Sequence, residues 1–228
     1  MTDPGQPQHL RVLLVDDQAL VRLGFRMVLE TEPDLHVVGE AADGVEAVRL
    51  AVETRPDVIL MDVRMPNLDG IEATRRIVAA NPDARIIILT TFDLDEYAFG
   101  ALAAGASGFL LKDVQASELT AAIRAVHSGD ATLSPRVTRR MLELFGRRLP
   151  NAVGGGADDA ALATLTDRER DVFAAIGAGL TNTEIAAALF VSESTVKTHV
   201  GRVLAKMGAR DRVQAVILAH RLGVTDGA

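Results

Sequence analysis

A doubly wound parallel α/β domain followed by a small all-α domain is the fold class that this 228-residue sequence predicts. Two observations predict the first part. Over residues 10–128, five short β-branched runs alternate with five helical patterns, as expected of consecutive βα units in a parallel sheet. Several runs are continuously apolar, Ile86-Ile87-Ile88-Leu89 most clearly, which suits central strands covered on both faces. A third observation predicts the second part: from residue 162 strand signals cease and helix-start signals succeed one another.

The strands are expected at 11–15, 36–40, 58–62, 85–90 and 108–111, and the helices between and after them at about 18–30, 43–54, 71–80, 95–104 and 116–128. A further helix is expected at 135–148, with Pro135 in its first turn. Gly154-Gly155-Gly156 then marks a flexible linker. The domains therefore read as 8–128 and 162–228, joined by a linker over 129–161. In the second domain Thr166 with Glu169 and Thr181 with Glu184 form capping boxes. Asp211 with Gln214 is a close variant, and Ser192 can cap a helix that begins at Glu193. Gly179 and Gly208 sit where helices should end. Four helices follow, at about 167–178, 182–189, 193–207 and 212–222. Only Phe190-Val191-Ser192 separates the second from the third, the tight connection of a helix-turn-helix.

Composition narrows the class. Hydrophobic residues make up 48% of the chain, ordinary for a globular protein, and each domain is long enough to bury a core. With no Trp and only Tyr97, the cores must be built from Val, Ile, Leu and Ala. The absence of Cys excludes disulfides and thiolate metal sites and fits a reducing cytosol. The first residues lack the basic and apolar regions of a signal peptide, and no apolar run approaches the ~20 residues that span a bilayer. A soluble, cytoplasmic protein with no membrane partner is expected. The net charge of −7 is unevenly spread: residues 1–128 carry −9 and residues 162–228 carry +1. Between 194 and 210 stand Lys197, Arg202, Lys206 and Arg210 and no acidic residue, and such a local field matters more for phosphate binding than the total.

Four strand runs end on polar residues of a particular kind. The first runs into Asp16 and Asp17, the third into Asp62, the fourth into Thr90 and the fifth into Lys112. Ligands of open parallel sheets bind at the carboxyl ends of the strands, so these five side chains should converge. A single such Asp reads most simply as a helix cap; the ordered set does not. Clustered carboxylates repel unless a cation neutralises them, and Mg²⁺ prefers oxygen ligands while keeping several waters. The set predicts a site for a divalent cation and a phosphoryl group.

With these motifs in place, residues 10–128 resemble the receiver domain of two-component response regulators. The resemblance rests on Val15-Asp16-Asp17, Asp62-Val63-Arg64-Met65-Pro66 with Asp69-Gly70, Leu89-Thr90, and Gly108-Phe109-Leu110-Leu111-Lys112. It implies Asp62 as phosphoacceptor and Asp16, Asp17, Asp62 and the Arg64 carbonyl as Mg²⁺ ligands. It further implies Thr90 and Lys112 on the phosphoryl oxygens, with Phe109 either a switch aromatic or plain core. Asp113 stands where many receivers carry Pro. Phosphatases of the haloacid dehalogenase type also place an Asp and Mg²⁺ at a strand end, but resemble Asp-x-Asp. Here Arg64 occupies the third position, so their general acid is missing. Chemistry is expected to stop at phosphorylation of Asp62 and its slow hydrolysis, not enzyme turnover.

On a wheel at 100° per residue with Val196 at zero, Val200, Val203 and Met207 fall within about 40°. The opposite side carries Ser194, Thr198, Gly201 and Ala205, flanked by Thr195, Lys197 and Arg202. A small, uncharged strip edged by basic residues suits a helix lying in a major groove. Leu165-Thr166-Asp167-Arg168-Glu169-Arg170, Asn182-Thr183-Glu184-Ile185-Ala186 and Val191-Ser192-Glu193-Ser194-Thr195-Val196-Lys197-Thr198-His199-Val200 resemble a LuxR-type DNA-binding domain. Receiver, linker and LuxR-type domain in this order resemble the NarL/FixJ response regulators. That implies a sensor histidine kinase as partner, control of transcription at double-stranded promoter DNA, and a homodimer when phosphorylated or DNA-bound. Lys197 and Thr198 would meet bases, with Ser194, Thr195, Arg202 and Lys206 around them and Thr181 and Asn182 offering a helix N-terminus to a phosphate. The family suggests the last helix for pairing, with Val213, Val216 and Ile217 as candidates that fit a core equally well. The competing reading, a DNA-binding regulator whose receiver only dimerises or binds a ligand, sits poorly with an intact set of five pocket residues.

Overall fold

The computed structural model describes residues 9–91, 100–128 and 156–224. The chain divides into two compact units, 1–128 and 129–228.

The first unit is built on strands β1 (Leu10–Val15), β2 (Leu35–Ala41), β3 (Val58–Asp62), β4 (Ile86–Thr90) and β5 (Gly108–Leu111). They form one parallel sheet in the order β2-β1-β3-β4-β5. The strand order reverses between β1 and β3, which opens a crevice at their carboxyl ends. The register aligns those ends: Val15 pairs with Met61, Asp62 with Leu89 and Thr90 with Leu111. Every residue of β3 and β4 is buried, as the continuous apolar runs required. The flanking helices are α1 (Ala19–Glu30), α2 (Gly44–Thr54), α3 (Gly70–Ala80) and α4 (Ala116–Ser128). Asp43 and Asp69 cap α2 and α3 by accepting from the Glu46 and Glu72 amides. Residues 100–103 are helical; the start of the helix predicted at 95–104 lies outside the described residues, as does the one predicted at 135–148.

The second unit holds α5 (Gly156–Ala163), α6 (Asp167–Gly177), α7 (Asn182–Leu189), α8 (Glu193–Met207) and α9 (Arg212–Arg221). Both capping boxes form, and Ser192 and Asp211 cap α8 and α9 through the Thr195 and Gln214 amides. Gly208 ends α8 in the left-handed conformation at φ 63°. Helix α5 departs from the sequence reading, which had taken this stretch as the end of a linker. Its first turn carries Asp158 and Asp159, which complement the helix dipole, and Ala161 and Leu162 pack against the core of the unit. That core joins Phe173 and Ile176 of α6 to Ile185 of α7, Val196 and Val203 of α8, and Ala215 and Ala219 of α9. No described helix is long and apolar enough to cross a membrane.

Candidate functional site

At the carboxyl end of the sheet, Asp16 follows β1 and Asp62 closes β3, and both are buried. Oxygens of Asp16, Asp17 and Asp62 all lie within 4.8 Å of one another. Lys112, one residue beyond β5, brings its Nζ to 2.6 Å from Asp16 Oδ2 and 3.0 Å from Asp62 Oδ2. Its own amide donates to the Thr90 carbonyl at 2.7 Å, which joins the ends of β4 and β5. Thr90 is buried, and Phe109 on β5 is almost fully buried beside Ile88.

Charge accounts for the protonation behaviour of the pair. Burial pushes the Asp62 carboxyl above its ordinary value, and the Lys112 ammonium pulls against that rise without cancelling it. Burial works to lower Lys112, but its contacts with Asp16 and Asp62 outweigh burial and hold it above the usual lysine range. One ammonium thus serves two buried carboxylates, with a third, Asp17, at the mouth. Asp16 Oδ2 accepts no well-directed hydrogen bond, although the ammonium lies close by in ionic contact. Three carboxylates share one ammonium, and an oxygen-only donor set with more negative than positive charge fits a hard divalent cation.

The loop that follows Asp62 is held by two close backbone approaches. A Cβ on Gly70 would lie 1.9 Å from the Asp62 carbonyl oxygen, and one on Gly44 would lie 2.4 Å from that of Leu68. The glycine amides use these gaps, Gly70 donating to Val63 O at 2.9 Å and Gly44 to Leu68 O at 3.0 Å. Between them Asn67 takes a positive φ of 62° and donates from its side chain to Asp43. Arg64 is exposed in this loop. Sequence reasoning marked Asp69-Gly70 but missed Gly44, whose role depends on a loop far along the chain.

In the second unit the α8 wheel is reproduced residue for residue. Val196, Val200, Val203 and Met207 are buried, while Ser194, Lys197, Thr198, Gly201, Arg202 and Ala205 are exposed and Thr195 is half-buried. Thr198 donates its hydroxyl to the Ser194 carbonyl at 3.1 Å, and the Ser194 hydroxyl pairs with that of Ser192 at 2.8 Å. At the start of α7, Thr181 is occupied as the cap, and Asn182 Oδ1 accepts from Arg212 at 2.9 Å. Arg212 also donates to the Leu180 carbonyl, so α9 grips the very turn that precedes α7.

Two groups of candidate residues also serve the fold of the unit. Lys206 is exposed, and its ammonium is engaged within the unit. Its Nζ lies 2.6 Å from Glu169 Oε2 and donates to the Thr164 carbonyl at 3.0 Å, which straps α8 to the start of α6. The ammonium, and after it the Thr166 backbone amide, hold the Glu169 carboxyl down to about 2. The wheel carried the signal, since Lys206 sits about 80° from the centre of the buried stripe, nearer to it than to the strip opposite. Val213 and Val216 are buried within the unit, so of the three pairing candidates only Ile217 is partly exposed.

Comparison with known proteins agrees with this architecture. Residues 12–124 match the response regulator receiver domain, and residues 163–219 match the luxR family of bacterial regulatory proteins. Over 216 residues the chain is 48% identical to the uncharacterized transcriptional regulatory protein YxjL of Bacillus subtilis, covering 94% of this chain and 97% of that one. It is 43% identical over 212 residues to the transcriptional regulatory protein LiaR of the same organism, covering 93% and 97%. Among solved structures, the response regulator ChrA of a heme-sensing two-component system is 34% identical and superposes with a TM-score of 0.52, covering 95% of this chain and 99% of that one.

Proposed function

The chain belongs to the two-component response regulators that join a receiver to a LuxR-type DNA-binding domain, and on that premise we propose that it takes a phosphoryl group on Asp62 from a sensor histidine kinase. One observation carries the assignment: three carboxylates and one ammonium converge on the end of β3. Asp16, Asp17, Asp62 and the Arg64 carbonyl would hold Mg²⁺, which would supply positive charge against the carboxylates and the incoming phosphoryl oxygens. The Asp62 carboxylate attacks phosphorus, the donor's P–N bond breaks, and an acyl phosphate forms. Lys112 is freed from Asp62 as that charge is esterified, and with Thr90 it takes phosphoryl oxygens, while Phe109 follows the change. Turnover ends with slow hydrolysis of the acyl phosphate.

In the second unit α8 lies in the major groove of promoter DNA. Lys197 and Thr198 face base edges, Ser194, Thr195 and Arg202 face the backbone, and Thr181 with Asn182 presents the α7 amides to a phosphate. Lys206, ion-paired with Glu169 at the edge of α8, adds its positive charge to the same DNA-facing side. Phosphorylation promotes a homodimer in the cytoplasm, and two linked modules gain from effective concentration on paired half-sites. The domains run over 8–128 and 162–228, the second preceded by α5, which packs on its core.

The test is incubation with acetyl phosphate and Mg²⁺ followed by mass spectrometry. One phosphoryl group should be added, and Asp62→Ala should abolish it; labelling that persists in the variant moves the site elsewhere. Sedimentation of the phosphorylated chain as a monomer, with and without operator DNA, would remove dimerisation.

A further inference from the structure

The loop that carries Asp16 and Asp17 has an anchor outside the pocket. Arg22, on the first turns of α1, points inward with its side chain only 16% exposed. Its Nη1 donates to the Asp16 main-chain carbonyl at 2.6 Å, and its Nε donates to Glu40 Oε2 at 3.1 Å. Glu40 lies on β2, in register with Leu14 and one step before the Ala41–Val15 pair, directly beside the end of β1. The other Glu40 oxygen accepts from Arg26 Nε at 2.6 Å. Burial disfavours the Glu40 carboxylate, but Arg26 and then Arg22 more than offset this and hold it below its ordinary range. Arg22 therefore has a fixed partner on one side and the metal loop on the other.

We propose that Arg22, oriented by Glu40, is the positioning residue that sets Asp16 and Asp17 for the cation. The inference rests on the reading of these carboxylates as the cation site. The physical need is plain. Two adjacent carboxylates repel each other and Asp62, so a loop left to itself opens away from β3. Asp16 is already tied by its Oδ1, which accepts from the Gln18 amide at 2.9 Å, and by its own amide, which donates to Ala41 O at 3.1 Å. Those bonds fix the turn. The short charge-assisted bond from Arg22 fixes where the turn sits relative to β2 and α1. The planar guanidinium spans carbonyl and carboxylate at once, which a lysine cannot do with the same geometry.

The test is Mg²⁺ binding to the full, unphosphorylated chain by titration calorimetry, together with the Mg²⁺ dependence of phosphorylation by acetyl phosphate. Arg22→Met should weaken Mg²⁺ binding by about tenfold, the scale on which groups that orient ligands act. The phosphorylation rate at saturating Mg²⁺ should stay near that of the parent. Arg22→Lys and Glu40→Gln should fall between, and they carry the test if Arg22→Met does not fold. A role in stability alone would lower the melting temperature and leave the Mg²⁺ constant unmoved, and that result overturns the proposal. Asp16→Asn separates the two levels. If it too leaves Mg²⁺ binding intact, the cation reading itself fails; if it abolishes binding while all three other variants match the parent, only the role of Arg22 fails.

Discussion

In the receiver the candidate residues come from the ends of four strands, and Asp16, Asp62 and Thr90 are buried together. In the helix-turn-helix unit most come from a single helix, and none is buried. The first kind of site is a compromise with folding, since it gathers like charges where water is scarce. The second costs the fold little, because the apolar side of α8 does the packing and the opposite side is left over for a partner. Substitutions of one type should therefore act oppositely in the two regions.

Glycine offers the sharpest contrast. Gly70→Ala forces a Cβ against the Asp62 carbonyl, where only backbone can yield. It should destabilise the receiver by about 3 kcal/mol or more in urea denaturation and abolish phosphorylation. Wild-type stability in that variant would mean that the loop after β3 is not held as described. Next in size are the two basic residues of α8. Lys197→Ala should cost ~1–3 kcal/mol on the best operator and relax preference at one base pair, whereas Arg202→Ala should weaken all sequences alike and lower the salt slope by about one. Binding assays over operator variants at several salt concentrations decide this, and a reversed pattern exchanges the two roles.

Gly201→Ala is the counterpart to Gly70→Ala. Nothing lies within 4 Å of its missing Cβ, so helix propensity should stabilise the second unit by up to ~1 kcal/mol. Operator affinity should nevertheless fall, because the new methyl stands in the strip that faces the groove. Unchanged affinity would place the groove elsewhere. The smallest effect concerns pH. Glu169 is lowered to about 2 by Lys206, so its contribution is complete above the ordinary glutamate value near 4.5 and is lost as pH falls from there towards 2. Thermal melts of the second unit should decline over that window, and Glu169→Gln should flatten the decline while lowering stability at neutral pH.

These contrasts also explain what was legible in advance. The pocket could be read because a parallel sheet sends every strand end to the same edge, so order along the chain becomes convergence in space. The α8 strip could be read because a helix repeats every 3.6 residues whatever surrounds it. The ion pair of Lys206 was not legible because its partner, Glu169, sits on another helix and serves first as the reciprocal member of a capping box. Val213 and Val216 were left open between pairing and core, and burial settles them as core.

Sequence alone determined the parallel α/β class, the helical second unit, the caps and the residues at the strand ends, all of which depend on local pattern or on chain order. Tertiary structure alone decided which face of α1 is buried. Arg22 lies inward with Phe25 and Leu29, three and seven residues on, while Leu20, Leu23 and Met27 stay 81%, 50% and 62% exposed. Periodicity cannot predict that inversion. A guanidinium is worth burying only where a carbonyl and a carboxylate stand ready for it, and Asp16 and Glu40 reach that place from two different strands.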